Sequence, residues 1–228
     1  MNPNVLEIDG LTVSFFTDEG EAKAVNGVRF AVPRGKVLAL VGESGCGKSV
    51  TSYSILRLIQ KPGRITGGHI RYHGADGMEL DLAAVSEKDP RLYEIRGNRI
   101  AMIFQEPMTA LSPVHTIGGQ LSEVLFLHRK MSKKEARERV IAMLGLVGIP
   151  APERRFDQYP FELSGGMRQR AALIRTLVLE PDILLLDEPF SALDYQQRLL
   201  LADEVHSIIK RGGYTAVLVT HDISEAIC

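Results

Sequence analysis

The residues Gly42-Glu-Ser-Gly-Cys-Gly-Lys-Ser49 decide the fold of this 228-residue chain. They fit the pattern G-x-x-x-x-G-K-[ST], follow the apolar run Lys36 to Val41, and precede a helical pattern that extends to about Ile59. Glycines let the backbone curl so that successive N–H groups point at phosphate oxygens, and the helix that follows adds its N-terminal dipole. In such a loop Lys48 reaches the β- and γ-phosphates of a nucleotide, and the Ser49 hydroxyl binds Mg²⁺. The strand–loop–helix context favours this interpretation over a plain glycine-rich turn.

A second motif, Ile183-Leu-Leu-Leu-Asp187-Glu188-Pro189, places two carboxylates at the C-terminal end of an apolar strand. Ligands of open α/β sheets bind at that end. Asp187 suits a magnesium ligand, usually through water, and Glu188 is placed to polarise a water aimed at the γ-phosphate. The alternative is a solvated acidic turn, which the phosphate-binding loop makes the weaker interpretation.

A third motif, Leu163-Ser-Gly-Gly-Met-Arg-Gln-Arg170, begins a predicted helix. Ser164 is a natural N-cap, and Gly165 and Gly166 leave the helix start open, so an anion could be held there. Taken by themselves, these residues favour the plainer interpretation of a capped helix without a ligand.

The composition indicates one globular α/β domain, since 45% of the residues are hydrophobic and 24% are charged. The net charge is −1, so we expect no nucleic-acid partner. No apolar run approaches the roughly 18 residues of a membrane span. The run Lys36 to Val41 is interpreted as a strand buried on both faces, and Pro62-Gly63 and Gly67-Gly68 as the bounds of a loop.

Strands alternate with helices over most of the chain, which predicts a largely parallel sheet. Between residues 106 and 163 helical patterns replace the strands, and Ser132 to Glu135 have the sequence of a capping box. We therefore expect a single domain over 1–228, with a core of 1–105 and 164–228 and an inserted helical lobe of 106–163. The basic run His128 to Arg139 in this lobe is interpreted as a solvated helix face rather than a contact with anionic headgroups.

Together with Thr220-His221-Asp222, these three motifs give nearly the whole chain a specific resemblance to the ATP-binding subunit of ABC transporters. The resemblance implies a P-loop NTPase fold, with an α/β ABC ATPase core, an N-terminal antiparallel β part and an inserted helical subdomain. It implies ATP and Mg²⁺ as cofactors. Further elements follow the histidine in that family, so we expect the C-terminal end to be truncated.

The resemblance also assigns roles to single residues. Gln105 contacts Mg²⁺ and water, although by itself it would be a loop glutamine. His221 reads the γ-phosphate, although by itself it would be a surface histidine. Phe15 stacks on adenine; packing into the core is its alternative, and Phe16 is its rival. The implied catalytic residues are Glu188, His221 and Gln105, the metal ligands are Ser49, Gln105 and Asp187, and the nucleotide contacts are Phe15, Gly42, Ser44, Gly45, Cys46, Gly47, Lys48, Ser49, Val50, Ser164, Gly165, Gly166 and Asp194.

Partners follow from the same resemblance. The expected partner is a second cassette, identical or closely related. Ser164 to Met167 of this chain would bind the γ-phosphate of the ATP that the second cassette holds, and Asp194 would lie at the dimer interface. Separate membrane permease subunits would carry the solute, delivered by a periplasmic or extracellular binding protein, and this chain would lie peripherally on the cytoplasmic side of the inner membrane. The segment Gln105 to Pro113 and Val114 is the expected dock, because Met108, Leu111 and Val114 are apolar; the alternative is that they pack the lobe onto the core.

The motif set resembles the dipeptide, oligopeptide and nickel importers. Phe190, Tyr195-Gln-Gln-Arg198 and His221-Asp-Ile-Ser-Glu-Ala226 instead resemble the nitrate, sulfonate and taurine importers, so the solute stays open. Two other functions are also retained as alternatives. One is a non-transport ABC ATPase of DNA repair or translation, against which stands the lack of a coiled-coil insert. The other is an ATP-binding regulatory module without turnover, against which stand Glu188 and His221.

Overall fold

Two four-stranded sheets form the framework of the chain. The computed structural model describes residues 2–104, 111–191, 195–222 and 225–226. The first sheet is antiparallel, in the order β2-β1-β4-β5, and consists of β1 (Asn4–Thr17), β2 (Gly20–Pro33), β4 (Gly63–His73) and β5 (Glu79–Asp81). The second sheet is parallel, in the order β3-β8-β7-β6, and consists of β3 (Val37–Val41), β6 (Ile100–Ile103), β7 (Ile183–Asp187) and β8 (Thr215–Thr220). The predicted fold class, an α/β core with an N-terminal antiparallel part, is confirmed.

Helices cover both faces of the parallel sheet, and three of them lie in the described part of the segment 106–163. They are α1 (Lys48–Ile55), α2 (Pro90–Ile95), α3 (Ile117–His128), α4 (Lys133–Leu146), α5 (Pro152–Phe156), α6 (Gly165–Leu177) and α7 (Tyr195–Gly212), with a 3-10 turn at Pro160–Glu162. The capping box of α4 is present, because Ser132 Oγ accepts from the Glu135 amide at 3.2 Å and the Glu135 carboxylate accepts from the Ser132 amide at 2.8 Å. The exact limits of the helical lobe stay a prediction. No helix in the described ranges is both long and apolar enough to cross a membrane.

The parallel sheet lies between two apolar cores, because side chains alternate between its faces. Leu184 and Leu186 of β7 face the helices of the lobe together with α6 and α7. Ile183 and Leu185 face the opposite core, which the antiparallel sheet, α1 and α2 complete. Since both faces are covered, β7 is buried along its whole length and holds its C-terminal carboxylate in a fixed position.

The strand before the loop differs from its prediction. β3 pairs only with β8 among the described strands, so it forms one edge of the sheet. Val37 and Val41 are 42% and 44% exposed, and the three residues between them are half-buried. Burial on both faces is therefore wrong for β3, because a continuous apolar run gives no information about whether a strand is central or at an edge.

Two element boundaries also differ. Helix α1 ends at Ile55 rather than near Ile59, because Leu56 is its C-cap and Arg57 adopts a left-handed φ of 55°. The expected loop between Gly63 and Gly68 belongs to β4, which continues through these glycines. The register between β1 and β4 shifts between Asp9 and Thr12, and this bulge accommodates the glycines without ending the strand.

Two arginines of the basic run His128 to Arg139 donate hydrogen bonds to the core, which the expectation of a solvated helix face did not include. Arg129 and Arg139 donate to the carbonyl oxygens of Leu179 and Val178 at 2.8 Å and 2.9 Å. These carbonyls lie just beyond the C-terminus of α6, where cationic side chains stabilise the helix dipole. These two arginines therefore attach the lobe to the core.

A buried tyrosine connects the two sheets. Tyr72 on β4 is fully buried, and its hydroxyl donates to the carboxylate of Asp182, which precedes β7. Burial, followed by the neighbouring Asp182 carboxylate, raises the pKa of Tyr72, so the hydroxyl keeps its proton. Arg99 lies 3.8 Å from Asp182 and 2.5 Å from Asp76, so it balances both carboxylates.

Replacing Tyr72 with phenylalanine is expected to lower the free energy of unfolding by about 2 kcal/mol, the usual scale for a hydrogen bond to a charged group. Urea unfolding measures the change. Tyr93→Phe is the control, because Tyr93 is 64% exposed and should leave the stability unchanged. Equal stability of the Tyr72→Phe and unaltered chains would show that the hydroxyl does not hold the sheets together.

Candidate nucleotide-binding site

The loop between β3 and α1 opens onto a cavity of about 240 Å³. Gly45 and Gly47 have φ values of +83° and +94°, which only glycine adopts without strain. A Cβ atom on Gly47 would lie 2.2 Å from the carbonyl oxygen of Ala24, so the β2 backbone closes one side of the loop. The cavity is lined by Ala24, Ser44, Gly45, Gly47, Lys48, Ser49, Val50 and Glu188.

The Lys48 side chain curls into the loop. Its ammonium donates to the carbonyl oxygens of Gly42 and Glu43, both at 2.7 Å, and lies 3.8 Å from the sulfur of Cys46. The loop thus combines the positive charge of Lys48, the positive-φ backbone of Gly45 and Gly47, and the start of helix α1. This arrangement suits a polyanionic ligand such as a nucleotide phosphate chain.

Two of the three expected metal ligands are in direct contact. The Ser49 hydroxyl donates to Asp187 Oδ1 at 2.8 Å, although 138 residues separate them. Mg²⁺ is usually bound by one or two protein oxygens together with substrate phosphates, so this pair fits a magnesium ion shared with a nucleotide. Burial, and then the nearby Asp187 carboxylate, raise the pKa of Tyr53, which lies one turn after Ser49 on α1.

Glu188 and His221 meet at the C-terminal ends of β7 and β8. The adjacent parallel strands bring Glu188 Oε2 within 3.5 Å of His221 Nδ1. Glu188 adopts a left-handed φ of 44°, and its amide donates to the Val219 carbonyl at 2.9 Å. Residues other than glycine rarely adopt this conformation, and such backbone strain is concentrated at functional sites. The side chains are 19% and 45% exposed, so the pair is open to water on the His221 side.

The structure does not bring the start of α6 to this cavity. Ser164, Gly165 and Gly166 are exposed, and none of them lines it. The Ser164 hydroxyl caps the helix by accepting from the Met167 amide at 3.4 Å. Within this chain the third motif is therefore the capped helix start that its residues favoured, and a role toward a nucleotide stays a prediction.

Phe15 is likewise absent from the cavity lining. Its half-buried ring packs against the core below the antiparallel sheet, and a Cβ atom on Gly63 would lie 2.6 Å from it and 2.7 Å from Ile59. Phe16 is 36% exposed, and the Arg64 guanidinium lies 4.3 Å from the centre of its ring. The adenine contact of Phe15 stays a prediction. Gln105 and Asp194 lie outside the described residues, as does Met108.

Sequence reasoning missed two residues of the site. Tyr53 could have been found, because the i, i+4 spacing from Ser49 puts both on one face of α1. No signal in the sequence pointed to Ala24, since its carbonyl comes close to the loop only through the pairing of β2 in the folded sheet.

Curated proteins similar to this chain are named as transport or import ATP-binding proteins. The dipeptide transport ATP-binding protein DppD of Bacillus subtilis (strain 168) is 47% identical over 220 residues, which are 96% of this chain and 64% of that protein. A putative peptide import ATP-binding protein of Brucella ovis is 48% identical with the same coverage. The oligopeptide transport ATP-binding protein OppD of Bacillus subtilis is 43% identical over 96% of this chain and 60% of its own length. This chain thus spans less than two thirds of the length of these relatives.

Solved structures agree with the fold. The dimeric structure of MJ0796, a bacterial ABC transporter cassette, matches with a TM-score of 0.76 and 28% identity, covering 97% of this chain and 90% of that one. A dimeric post-hydrolysis state of the same cassette, bound to ADP and Pi, matches with a TM-score of 0.75 and 27% identity over the same fractions. The ABC transporter family model matches residues 25–191, which include the phosphate-binding loop, the start of α6 and Glu188. This chain therefore belongs to the ABC transporter family.

Proposed function

We propose that this chain hydrolyses ATP and thereby powers the import of peptides through separate membrane subunits. The observation that carries the proposal is the 3.5 Å contact between Glu188 and His221 beside the Ser49–Asp187 pair, at the mouth of the phosphate-binding loop. The names of the relatives, which are dipeptide, oligopeptide and putative peptide import proteins, support peptides over nickel or the nitrate-type solutes.

The chemistry follows from what each side chain can do. Lys48 binds the phosphates, and Ser49 and Asp187 would hold Mg²⁺, which neutralises phosphate charge when it is bound. Glu188 accepts the proton of a water whose oxygen attacks the γ-phosphorus, while the bond from that phosphorus to the bridging oxygen breaks and ADP leaves with the electron pair. His221, whose Nδ1 lies 3.5 Å from Glu188 Oε2, would hydrogen-bond the γ-phosphate.

The active species of the proposal is a dimer of cassettes. Ser164, Gly165 and Gly166 are exposed and do not line the cavity of their own chain, so their open helix start is available to a ligand held by another chain. The similar MJ0796 cassette is dimeric in its solved structure, which supports the same assembly here. The partner is a second copy or a related cassette.

Transport also requires subunits that cross the membrane. We propose that this chain docks peripherally on their cytoplasmic face and that a solute-binding protein delivers peptide from the other side. The proposed dock is the segment Gln105 to Pro113 with Val114, of which the structure describes the part from Leu111 onward. Leu111 is only 7% exposed and belongs to the apolar cluster that the lobe shares with one face of the parallel sheet, so the expectation of an exposed Leu111 is wrong; Val114 is 72% exposed.

Gln120 of α3 fixes the loop that presents Val114. The buried side chain of Gln120 accepts from the Ser112 amide at 2.7 Å and donates to the carbonyls of Ser112 and His115, both at 2.9 Å. A loop held by three hydrogen bonds exposes an apolar side chain at low entropic cost to a partner. Val114 is therefore the residue on which docking is best tested.

Val114→Asp is expected to lower the fraction of the chain bound to permease-containing membranes at least tenfold, because an aspartate would be desolvated at the contact. ATP affinity should stay unchanged. Leu127→Asp is the matched control, because Leu127 is 74% exposed on α3, outside this loop. Sedimentation with membranes measures binding. Retention of Val114→Asp, or equal release of both variants, would contradict this dock.

Phosphate release, measured with and without reconstituted permease subunits, tests the proposed function as a whole. Stimulation by the permease together with peptide uptake supports it. An equal rate of turnover with and without the permease would favour a non-transport ATPase. ATP binding without turnover under both conditions would favour a regulatory module.

A further inference from the structure

The segment that carries His221 is joined to α7 by a charge cluster around the buried Glu225. Directly after β8, the Thr220 hydroxyl donates to Glu225 Oε2 at 2.6 Å and accepts from the Asp222 amide at 3.0 Å. From α7, Arg198 places Nε 3.8 Å from Glu225 Oε1 and Nη1 3.8 Å from Asp222 Oδ2. The side chain of Glu225 is only 4% exposed, and that of Arg198 is 19% exposed.

This cluster has an electrostatic requirement. Asp222 and Glu225 follow His221 within four residues, and two carboxylates so close repel each other unless a cation lies between them. A buried carboxylate without its partner is strongly unfavourable, and its segment moves toward water if it can. Arg198 supplies the cation from α7, which packs on the core through Val205, Ile208 and Ile209.

His221 is placed between the two fixed points of this arrangement. On its N-terminal side Thr220 is the last residue of β8 and is 1% exposed. On its C-terminal side Asp222 and Glu225 are held through Arg198. The imidazole itself is 45% exposed and its contact is Glu188, so its position depends on the backbone that Arg198 restrains.

We propose that Arg198 is a positioning residue for ATP hydrolysis, which holds the His221 segment so that the imidazole faces Glu188. The inference rests on the proposed function for the reaction itself. Arg198 does not line the cavity, so it would act on His221 through its ion pairs with Asp222 and Glu225.

Arg198→Met tests the assignment by keeping the length of the side chain and removing its charge. We expect kcat to fall about 10²-fold, the scale for a displacement of about 1 Å in an active site, while KM and the affinity for ATP stay near their original values. Arg211→Met is the control, because Arg211 is on the same helix, exposed, and hydrogen-bonded to Ser207. A normal kcat in folded Arg198→Met would overturn the proposal.

A charge-compensating variant distinguishes positioning from general stability. Glu225→Gln in the Arg198→Met background removes the uncompensated buried charge, keeps an acceptor for Thr220, and should recover at least tenfold in kcat. Arg198→Lys, which retains a cation, should keep most of the turnover. If Arg198→Met does not fold, these two variants carry the test. If turnover stays low in both the double variant and Arg198→Lys, and circular dichroism shows that both are folded, the proposal is contradicted.

The imidazole signals in a histidine-selective NMR spectrum provide a readout that does not depend on turnover. His221→Ala identifies the His221 signal, and Glu188→Gln shows how it moves when the carboxylate partner is lost. Arg198→Met should move it in the same direction, and Arg211→Met should not. An unchanged His221 signal in Arg198→Met would overturn the positioning role. An unaltered chain that has the His221–Glu188 contact but no turnover would instead contradict the proposed function.

Discussion

Glu188→Gln is expected to lower the rate of ATP hydrolysis by about 10²–10⁴-fold, the usual contribution of a general base. Glutamine keeps the shape and hydrogen-bonding capacity of the side chain but cannot take the proton of the attacking water. Glu188 also has a fixed backbone, because its amide donates to Val219 and its carbonyl accepts from the Ser191 hydroxyl at 3.0 Å. The substitution should therefore leave the loop and the neighbouring Asp187 in place.

Three measurements check this prediction. Phosphate release gives the rate, equilibrium binding gives the affinity for ATP, and size-exclusion chromatography in ATP gives the fraction of dimer. We expect unchanged affinity and an accumulated ATP-bound dimer, since assembly no longer leads to hydrolysis. Glu123→Gln is the control, because Glu123 is exposed on α3 and outside the site. Turnover at the unaltered rate in Glu188→Gln would rule out the base.

The parts of the site that the sequence predicted are those determined by local chemistry. The loop at Gly42 to Ser49 needs glycine where φ is positive and a lysine and a hydroxyl at fixed offsets, so its pattern is specific. Glu188 and His221 each follow an apolar strand, and ligands of α/β sheets bind at that end. Their side chains are 3.5 Å apart because β7 pairs directly with β8, and a sequence pattern does not reveal which strands are neighbours.

The features that were missed are set by long-range packing. Val37 and Val41 are as apolar as a central strand, yet β3 lies at the edge of the described sheet. Leu111 and Val114 are both apolar and three residues apart, yet Leu111 is buried and Val114 is exposed.

Mixing Lys48→Ala chains with Ser164→Arg chains is expected to restore ATP hydrolysis that each variant lacks alone. Lys48→Ala removes the ammonium at the loop, and Ser164→Arg places a bulky cation at the exposed start of α6. In a head-to-tail dimer each site combines the loop of one chain with the helix start of the other. A mixed dimer therefore has one site with both defects and one site with neither.

The size of the recovery is fixed by counting sites. Random mixing makes half of the dimers mixed, and each has one intact site of two, so about a quarter of the unaltered activity should return if the sites are independent. Ser164→Arg chains mixed with chains carrying both substitutions form no intact site and serve as the control, with activity expected at background. The loss of the Ser164 cap costs only about 1 kcal/mol, so folding should survive. Background activity in the first mixture, or full activity of the unaltered chain as a monomer at high dilution, would contradict a site shared between two chains.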